Sequence, residues 1–429
     1  MAARPPSRGL TAPAMATLAF AIFVGLGAVS FVAGTVIPAS NGLRYGFPVY
    51  YTSSRLALER EWGPDVFDND WFSDRSREMT GGEVAEIYRP NTPMMSLLAL
   101  PVAWMDIAKA RRVWLAVDLA LIVLTLAALF AALPALRSPP RAAVLIGLCL
   151  WWAPLRETVS LGQAYALMLA LQAVALWAVV RDRPAIAGVA VGAAVATKLA
   201  AVPLLLLLAV RRATRSVILA TVTILALAVL TFGFAHADSW SRFVEVVVAG
   251  TLTPPASQSV TAYQSASSLF AHLFTPDAIW NPGSVATLPW LATILGFAAT
   301  GVALGVTLWF GRSARADVAT ATAVAAGLLV LGIAQEYHFA MLIVPAAVAL
   351  ARWFDGPPRR VVDGLWLALA FALLAVPLPY KDPVLAAGWT ALLAYPRLYG
   401  AWLLWAWLVR EMWADRRAEA VSHVGVVGG

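Results

Sequence analysis

Residues 181–212 read RDRPAIAGVAVGAAVATKLAAVPLLLLLAVRR, an apolar run with arginines at both ends and one lysine, Lys198, near its middle. By the positive-inside rule, both ends are cytoplasmic. The apolar part, residues 185–210, is too short for two crossings, because one spanning helix needs about 20 residues. We therefore predict a hairpin of two short helices that reaches partway through a membrane and returns, with Lys198 near its tip.

The composition indicates an integral membrane protein with many spans. Of the 429 residues, 61% are hydrophobic and only 13% are charged, whereas a soluble domain carries about 25% charged residues. The net charge of +7 comes from arginines at the ends of apolar runs, so it marks cytoplasmic loops and does not indicate a nucleic-acid partner. Cys149 is the single cysteine, which excludes an intrachain disulfide and a cysteine metal site.

The arginine clusters predict the topology. Arg4 and Arg8 place the N-terminus inside, and the run from Leu10 to Ile37 is a retained first helix. We expect one all-α, polytopic domain over residues 1–429, with roughly 11–13 transmembrane or re-entrant helices. The six further basic loops, all predicted inside, are residues 137–141, 181–183, 211–215, 312–315, 352–360 and 410–417. Besides the hairpin, the predicted spans are 113–134, 143–155, 162–180, 216–235, 287–310, 318–335, 339–351, 361–378 and 398–414.

Two predicted external loops hold most of the other polar residues. The first, residues 38–112 with juxtamembrane helices, contains enough aromatic side chains to pack against the membrane domain, and the second is residues 236–286. In this map Met94 to Trp104 lies along the outer interface or dips into it. In a rival map Met94 to Met105 crosses the membrane, with Lys109, Arg111 and Arg112 inside, which would move Arg137 and Arg141 outside. Within the first loop, residues 41–93 hold nine of the 24 acidic residues: Glu59, Glu61, Asp65, Asp68, Asp70, Asp74, Glu78, Glu83 and Glu86.

Four stretches of the chain resemble the bacterial membrane mannosyltransferases of glycosyltransferase family 87. The first is FPVYYTSSRLA at residues 47–57 with WGPDVF at 62–67, and the second is YRPNTP at 88–93. The third is GQAY at 162–165, followed in the hairpin by Gly188, Gly192, Lys198, Pro203 and Arg211-Arg212. The fourth is YQS at 263–265 with HLF at 272–274 and EYH at 336–338.

This resemblance implies both a fold and an activity. It implies the GT-C fold, with the active site on the external side of a bacterial inner membrane. It also implies transfer of a hexose, first of all mannose, from a polyprenyl-phosphate sugar to a lipid-linked or cell-envelope glycan acceptor. No cofactor is expected and a divalent metal is not expected, and no phosphate-binding glycine loop is placed to hold a nucleotide.

The chain departs from the family pattern at three positions. The family carries an aspartate, the expected general base, just before the first stretch, and this chain has Gly46 there. Tyr165 stands in place of an asparagine, and His272 in place of an arginine. The base must then be another carboxylate, or the chain is an inactive relative that acts as a binding partner.

Transfer from a lipid phosphate requires a cation for the leaving phosphate and a carboxylate for the acceptor proton. Lys198 is the candidate cation, because a lysine within an apolar segment is functional by default, although it could instead extend to the interface. Arg89 is the second cation. The candidate bases are Asp68, Asp70 and Glu336, although Asp is also a common turn residue and Glu336 could orient the sugar.

The remaining candidates bind the sugar or the phosphate. His338 would bind the phosphate when protonated or relay a proton. Gln163 would bond to a sugar hydroxyl or to the phosphate, or else cap a helix. Arg156 is a further candidate, or simply pairs with the glutamate beside it. Tyr88 and Gln264 belong to the family-like motifs and complete the candidate substrate-binding set.

A transporter or lipid flippase with the same cavity is the alternative function. Such proteins are often built from inverted repeats with broken helices at matching positions in the two halves. This sequence shows a short hairpin once.

Overall fold

A computed structural model describes residues 12–89, 91–235, 237–248, 256–356 and 361–427. The expectations for Arg4, Arg8 and His236, and for the basic residues within 357–360, lie outside these ranges. The described residues form helices and no β-strand, apart from an isolated bridge between Asp277 and Asn281. The α-helices, α1 to α18 in chain order, are Ala12–Phe31, Ile37–Asn41, Phe47–Glu59, Asn69–Met79, Ile107–Ala132, Pro139–Trp151, Ala153–Leu161, Tyr165–Val180, Pro184–Thr197, Val202–Val210, Thr214–Thr231, Ala237–Phe243, Ala266–Phe274, Pro289–Gly311, Ala316–Leu329, Ile343–Asp355, Val361–Ala375 and Pro396–Val427.

The helices confirm an all-α polytopic membrane protein. Five are long and apolar enough to cross a bilayer, and α6 and α7, which meet at an angle of 53°, form a sixth if they are one bent span. Several other apolar helices are shorter, among them α8, α9, α15 and α17. The five long spans are Leu18–Asn41, Ile107–Ala132, Thr214–Thr231, Pro289–Gly311 and Glu336–Asp355.

Arginines near the ends of separate helices connect neighbouring helices of the bundle. Arg181 donates to the carbonyl of Ala131 at 2.7 Å, and Arg141 forms an ion pair with Asp355 at 2.9 Å. Arg181, directly after α8, thus contacts the last turn of α5, and Arg141, in the first turn of α6, contacts the last residue of α16. Cations near the carbonyl-rich C-termini of helices are favourable, so the same residues mark topology and cap helices.

Residues 184–210 form the predicted pair of short helices. α9 is about 21 Å long and α10 about 14 Å, at about 1.5 Å per residue, whereas the apolar core of a bilayer is about 30 Å thick. Each begins with a proline in its first turn, Pro184 and Pro203, where the missing N–H is not needed. Lys198, between the two helices, has an extended backbone, with φ −147° and ψ 133°. It follows the last residue of α9, whereas Arg183 precedes the first.

The first loop folds onto the membrane helices, as its aromatic residues predicted. Trp62, Phe67, Phe72 and Tyr88 are buried, and the Tyr88 ring lies 5.5 to 5.9 Å from the other three ring centroids. Residues 93–102, the segment that crosses the membrane in the rival map, form only two short 3₁₀ turns. This segment is therefore too short to span.

The contact between α9 and α11 depends on two glycines. A Cβ atom at Gly188 would lie 2.5 Å from the carbonyl oxygen of Ser216, and one at Gly192 would lie 2.5 Å from that of Ala220. Gly-x-x-x-Gly patterns let helix backbones approach closely inside a membrane, where packing rather than hydrophobicity drives association. The hairpin is thus held against α11 by backbone contact.

We predict that Gly192→Ala destabilises the protein by about 1–3 kcal/mol, because the added methyl group overlaps the backbone of α11. Thermal unfolding in detergent measures this change. Gly305→Ala on α14 is the matched control, since no atom lies within 4 Å of its Cβ position. Equal melting temperatures for the two variants would contradict the close packing of α9 on α11.

Candidate active site

Lys198 lies at the break between α9 and a 3₁₀ turn at Leu199–Ala201. Its half-buried ammonium group donates a hydrogen bond to the side-chain oxygen of Asn91, and its Nζ lies 5.9 Å from the centroid of the Tyr165 ring. In the described part of the chain, no carboxylate forms an ion pair with it. The positive charge of Lys198 therefore faces a neutral amide and an aromatic ring.

The loop that carries Asn91 is fixed to the tip of the hairpin. The backbone N–H and side-chain amide of Asn91 donate to the carbonyl of Tyr88 at 2.9 and 3.1 Å. The hydroxyl of Thr92 donates to the carbonyl of Ala196 in the last turn of α9 at 2.7 Å. The Tyr88 hydroxyl is itself used, because it donates to the carbonyl of Thr92 at 2.6 Å. The hydroxyl of Tyr88, a predicted substrate-binding residue, thus stabilises the loop backbone in this structure.

The ring of Tyr165, which lies near Lys198, packs against two further aromatic rings. The ring of Tyr165 lies 4.5 Å from that of His338 and 5.4 Å from that of Tyr337. Nδ1 of His338 lies 3.0 Å from the backbone N–H of Gln335 and 3.2 Å from its carbonyl oxygen; when Nδ1 accepts the N–H, the closer contact, the proton of the neutral ring is on Nε2. The structure thus brings the predicted residues Lys198 and His338 together, and a neutral His338 offers one hydrogen-bond donor.

Gln163 is hydrogen-bonded to the third helix, α3, through Tyr50. The hydroxyl of Tyr50 donates to Oε1 of Gln163 at 2.7 Å and accepts the backbone N–H of Ala164 at 3.3 Å. The Gln163 carbonyl oxygen is therefore used, and its amide nitrogen is the group that can donate to a ligand.

Gly46 cannot be replaced by a larger residue without local change. Its φ is +123°, in the region that favours glycine, and a Cβ atom there would lie 2.6 Å from the carbonyl oxygen of Leu161 and 2.9 Å from Nε2 of Gln163. This gives a physical reason why the expected aspartate is missing at this position. With the present backbone, no carboxylate can stand at residue 46.

A carboxylate from elsewhere in the loop meets Gly46 instead. The backbone N–H of Gly46 donates to Oε1 of Glu86, whose side chain is half-buried. Burial raises the pKa of Glu86 to about 7, while hydrogen bonds from the backbone of Gly46 and Ile87 act in the opposite direction. No sequence pattern favours Glu86 over the other acidic residues of the loop.

Asp68, Asp70 and Arg89 line a different part of the surface. The Asp68 carboxylate accepts the backbone N–H groups of Asp70 and Trp71 at 3.0 and 2.9 Å, so it is the N-cap of α4. Asp70 and Arg89 are exposed and face an open cleft of about 310 Å³ with Arg242. Lys198 does not line this cleft. In the described residues, no group of three or more His, Cys, Asp or Glu side chains could hold a metal ion.

Glu336 forms a buried ion pair with Arg397 of α18. The guanidinium donates to both carboxylate oxygens, at 2.5 Å from Nη2 and at 2.9 and 3.1 Å from Nε, and the Tyr380 hydroxyl donates to the same carboxylate. Gln264, another candidate, accepts the backbone N–H of Arg397 at 3.1 Å and donates to the carbonyl of Ala394 at 2.7 Å. In this structure, Glu336 and Gln264 hold the start of α18 beside Tyr337.

Arg156 is engaged with the first helices. Its guanidinium donates to the carbonyl of Leu150 at 2.7 Å and to the hydroxyl of Ser30 at 3.0 Å, and it lies over the rings of Phe31 and Trp151. Glu157 is not its partner. Arg156 thus ties α7 to α1 rather than facing Lys198.

The fold and these contacts define a helical membrane protein that presents a lysine at the tip of a short helix pair. A model of glycosyltransferase family 87 matches residues 90–334, more than half of the chain. The protein therefore belongs to glycosyltransferase family 87, as the sequence motifs predicted, and is a membrane glycosyltransferase. Searches of curated proteins and of solved structures found no match. Glu86 and Glu336 lie outside the matched residues.

We predict that Arg397→Leu lowers the free energy of unfolding by about 3–5 kcal/mol, because it leaves the buried Glu336 carboxylate without its cation. Unfolding in detergent by heat or denaturant measures the loss. The double variant Glu336→Leu with Arg397→Leu should recover part of it. Arg77→Leu, at the exposed ion pair with Asp74, is the control with little effect. A single Arg397 variant as stable as this control would contradict a structural role for the ion pair.

Proposed function

We propose that this family 87 enzyme transfers a hexose, first of all mannose, from a polyprenyl-phosphate sugar to a lipid-linked or cell-envelope glycan acceptor. The proposed reaction takes place on the external face of a bacterial inner membrane. The observation that carries the proposal is the environment of Lys198, whose ammonium group has a neutral amide, Asn91, as its hydrogen-bond partner and no carboxylate in the described residues.

An unneutralised lysine at the end of an apolar helix is suited to an anionic ligand. Placing such a charge in a membrane costs about 2.5–3.5 kcal/mol on insertion scales, so the charge is expected to serve a function. Lysine binds phosphate as a point charge, and its effect is larger where water is excluded. A lipid phosphate that enters between the helices brings its negative charge to the level of the hairpin tip.

Two neutral donors support the same assignment. The amide nitrogen of Gln163 and Nε2 of His338 remain available after the internal hydrogen bonds are counted. A cation with neutral donors around it suits a phosphate and the hydroxyl groups of the sugar attached to it. As the bond between the anomeric carbon and the phosphate oxygen breaks, the phosphate gains charge, and Lys198 would stabilise that charge in the transition state.

We expect Lys198→Ala to lower turnover by about 100-fold or more, because fixed charges of this kind stabilise the departing oxygen. Lys198→Arg should retain part of the activity, and Lys109→Ala, at an exposed lysine on α5, should retain all of it. The assay uses purified protein, labelled polyprenyl-phosphate mannose and a membrane extract, with no nucleotide sugar. Product release into the glycan fraction is measured.

The outcomes separate three functions. Labelled product that requires Lys198 supports the transferase. Movement of the donor across vesicles without product would instead indicate a flippase. No product and no movement would indicate an inactive relative that acts as a binding partner. Full turnover by Lys198→Ala would remove the phosphate role from this residue.

A further inference from the structure

Glu86 is the acidic residue of the first loop whose side chain is joined to the start of α3, on the side of the bundle where Tyr50, Gln163 and Tyr337 lie. We propose that its carboxylate is the general base that takes the proton from the acceptor hydroxyl. This proposal rests on the function proposed above, since it concerns the same transfer reaction. It assigns a catalytic role to a residue that lies outside both the matched family region and the motifs of the sequence.

The segment around Glu86 is held in place by its backbone. The Ser73 hydroxyl on α4 donates to the carbonyl of Glu86 at 2.9 Å. The Thr80 hydroxyl accepts the N–H of Val84 at 3.1 Å and donates to its carbonyl at 3.1 Å. With Gly46 bonded to Oε1, the second carboxylate oxygen can accept a proton without loss of the contact that positions the side chain. A base must be fixed in this way to act efficiently.

The other acidic groups of the loop are engaged or exposed. Glu59 pairs with Arg55, and Glu61 and Glu78 both pair with Arg75. On α4, the helix packed against the Glu86 segment, Asp74 pairs with Arg77 and Asp68 is the N-cap. By contrast, no lysine or arginine of the described residues forms an ion pair with Glu86.

Glu86 and Lys198 both lie near one cluster of tyrosines. The charge of Glu86 acts on the hydroxyl groups of Tyr50 and Tyr337. The Tyr337 ring packs on Tyr165, and the Tyr165 ring in turn lies 5.9 Å from Nζ of Lys198. An inverting displacement has the acceptor and the leaving group on opposite faces of the sugar, and a carboxylate and a cation near one aromatic cluster suit that arrangement.

The proposed step is balanced in atoms and charge. The acceptor O–H bond breaks and its proton moves to Oε2 of Glu86. The acceptor oxygen forms a bond to the anomeric carbon of the sugar, while the bond from that carbon to the phosphate oxygen breaks. The electron pair leaves with the polyprenyl phosphate, whose added charge is opposed by Lys198. Glu86 then returns its proton to water.

The electrostatics of the site predict the pH dependence. The titratable groups that face Glu86 from the packed helices are the hydroxyls of Tyr50 and Tyr337, and the nearest charged residue before α3 is Arg44. With a pKa of about 7, Glu86 is half-deprotonated near neutral pH. Because the base acts when deprotonated, turnover should rise with pH through about 7 and then level off.

The test is Glu86→Gln, because glutamine retains an oxygen that accepts the N–H of Gly46 but cannot take a proton. We expect turnover to fall by about 100-fold or more while donor binding changes by less than about threefold. Glu86→Asp should restore part of the turnover and shift the acidic limb of the pH profile. Glu83→Gln, at an exposed glutamate in the same turn, is the matched control and should behave as the wild type.

Each outcome supports or overturns the proposal. Loss of turnover with retained donor binding, and loss of the acidic limb, support it. Full turnover by Glu86→Gln overturns it. Equal loss of donor binding and turnover also overturns it, because that result would show that Glu86 positions the donor. If the wild type itself forms no product from the lipid-phosphate donor, the proposed function fails, and the role of Glu86 fails with it. If the wild type and Glu86→Gln are both active, the role of Glu86 as the base is overturned, and the proposed transferase function stands.

Discussion

The hydrogen bond between Lys198 and Asn91 is the contact on which the rest of the site depends. A lysine at the end of an apolar helix needs a polar partner, since an unsolvated ammonium group is strongly unfavourable. Asn91, in the first loop, supplies that partner. Its amide is neutral and leaves the positive charge in place, whereas a carboxylate would neutralise it. This hydrogen bond therefore joins the hairpin to the first loop, and it also positions the ammonium group while leaving it charged.

The C-terminal helix α18 also supports this site. Arg397, in the first turn of α18, binds Glu336, which directly precedes Tyr337 and His338. Buried ion pairs add little stability when they replace apolar packing, but they are demanding in geometry. We infer that the Glu336 and Arg397 pair sets the position of the two rings that pack on Tyr165. The helices after residue 360 thus help to build the site.

Hydropathy and arginine placement were sufficient to predict the helical class, most spans and the short helix pair, because these patterns follow from the bilayer itself. Lys198 was found for the same reason, as a charge in an apolar run. The loop residues were less predictable. Asp68 and Asp70 follow a turn-like pattern, and Asp68 indeed serves as a helix cap. Glu86 has no pattern of its own, because its environment comes from Gly46, 40 positions away, and from the helices beyond it.

The geometry at Gly46 also constrains how this protein can have diverged. A side chain at residue 46 would occupy space that Gln163 now fills, and it would disturb the backbone group that binds Glu86. A side chain at position 46 would thus disturb the groups that hold the carboxylate of residue 86 in place. A lineage passing from a carboxylate at one of these positions to a carboxylate at the other in single substitutions would have to pass through a sequence with both carboxylates or with neither. Residues 46 and 86 should therefore vary as a pair among relatives, a correlation between two loops that neither loop reveals alone.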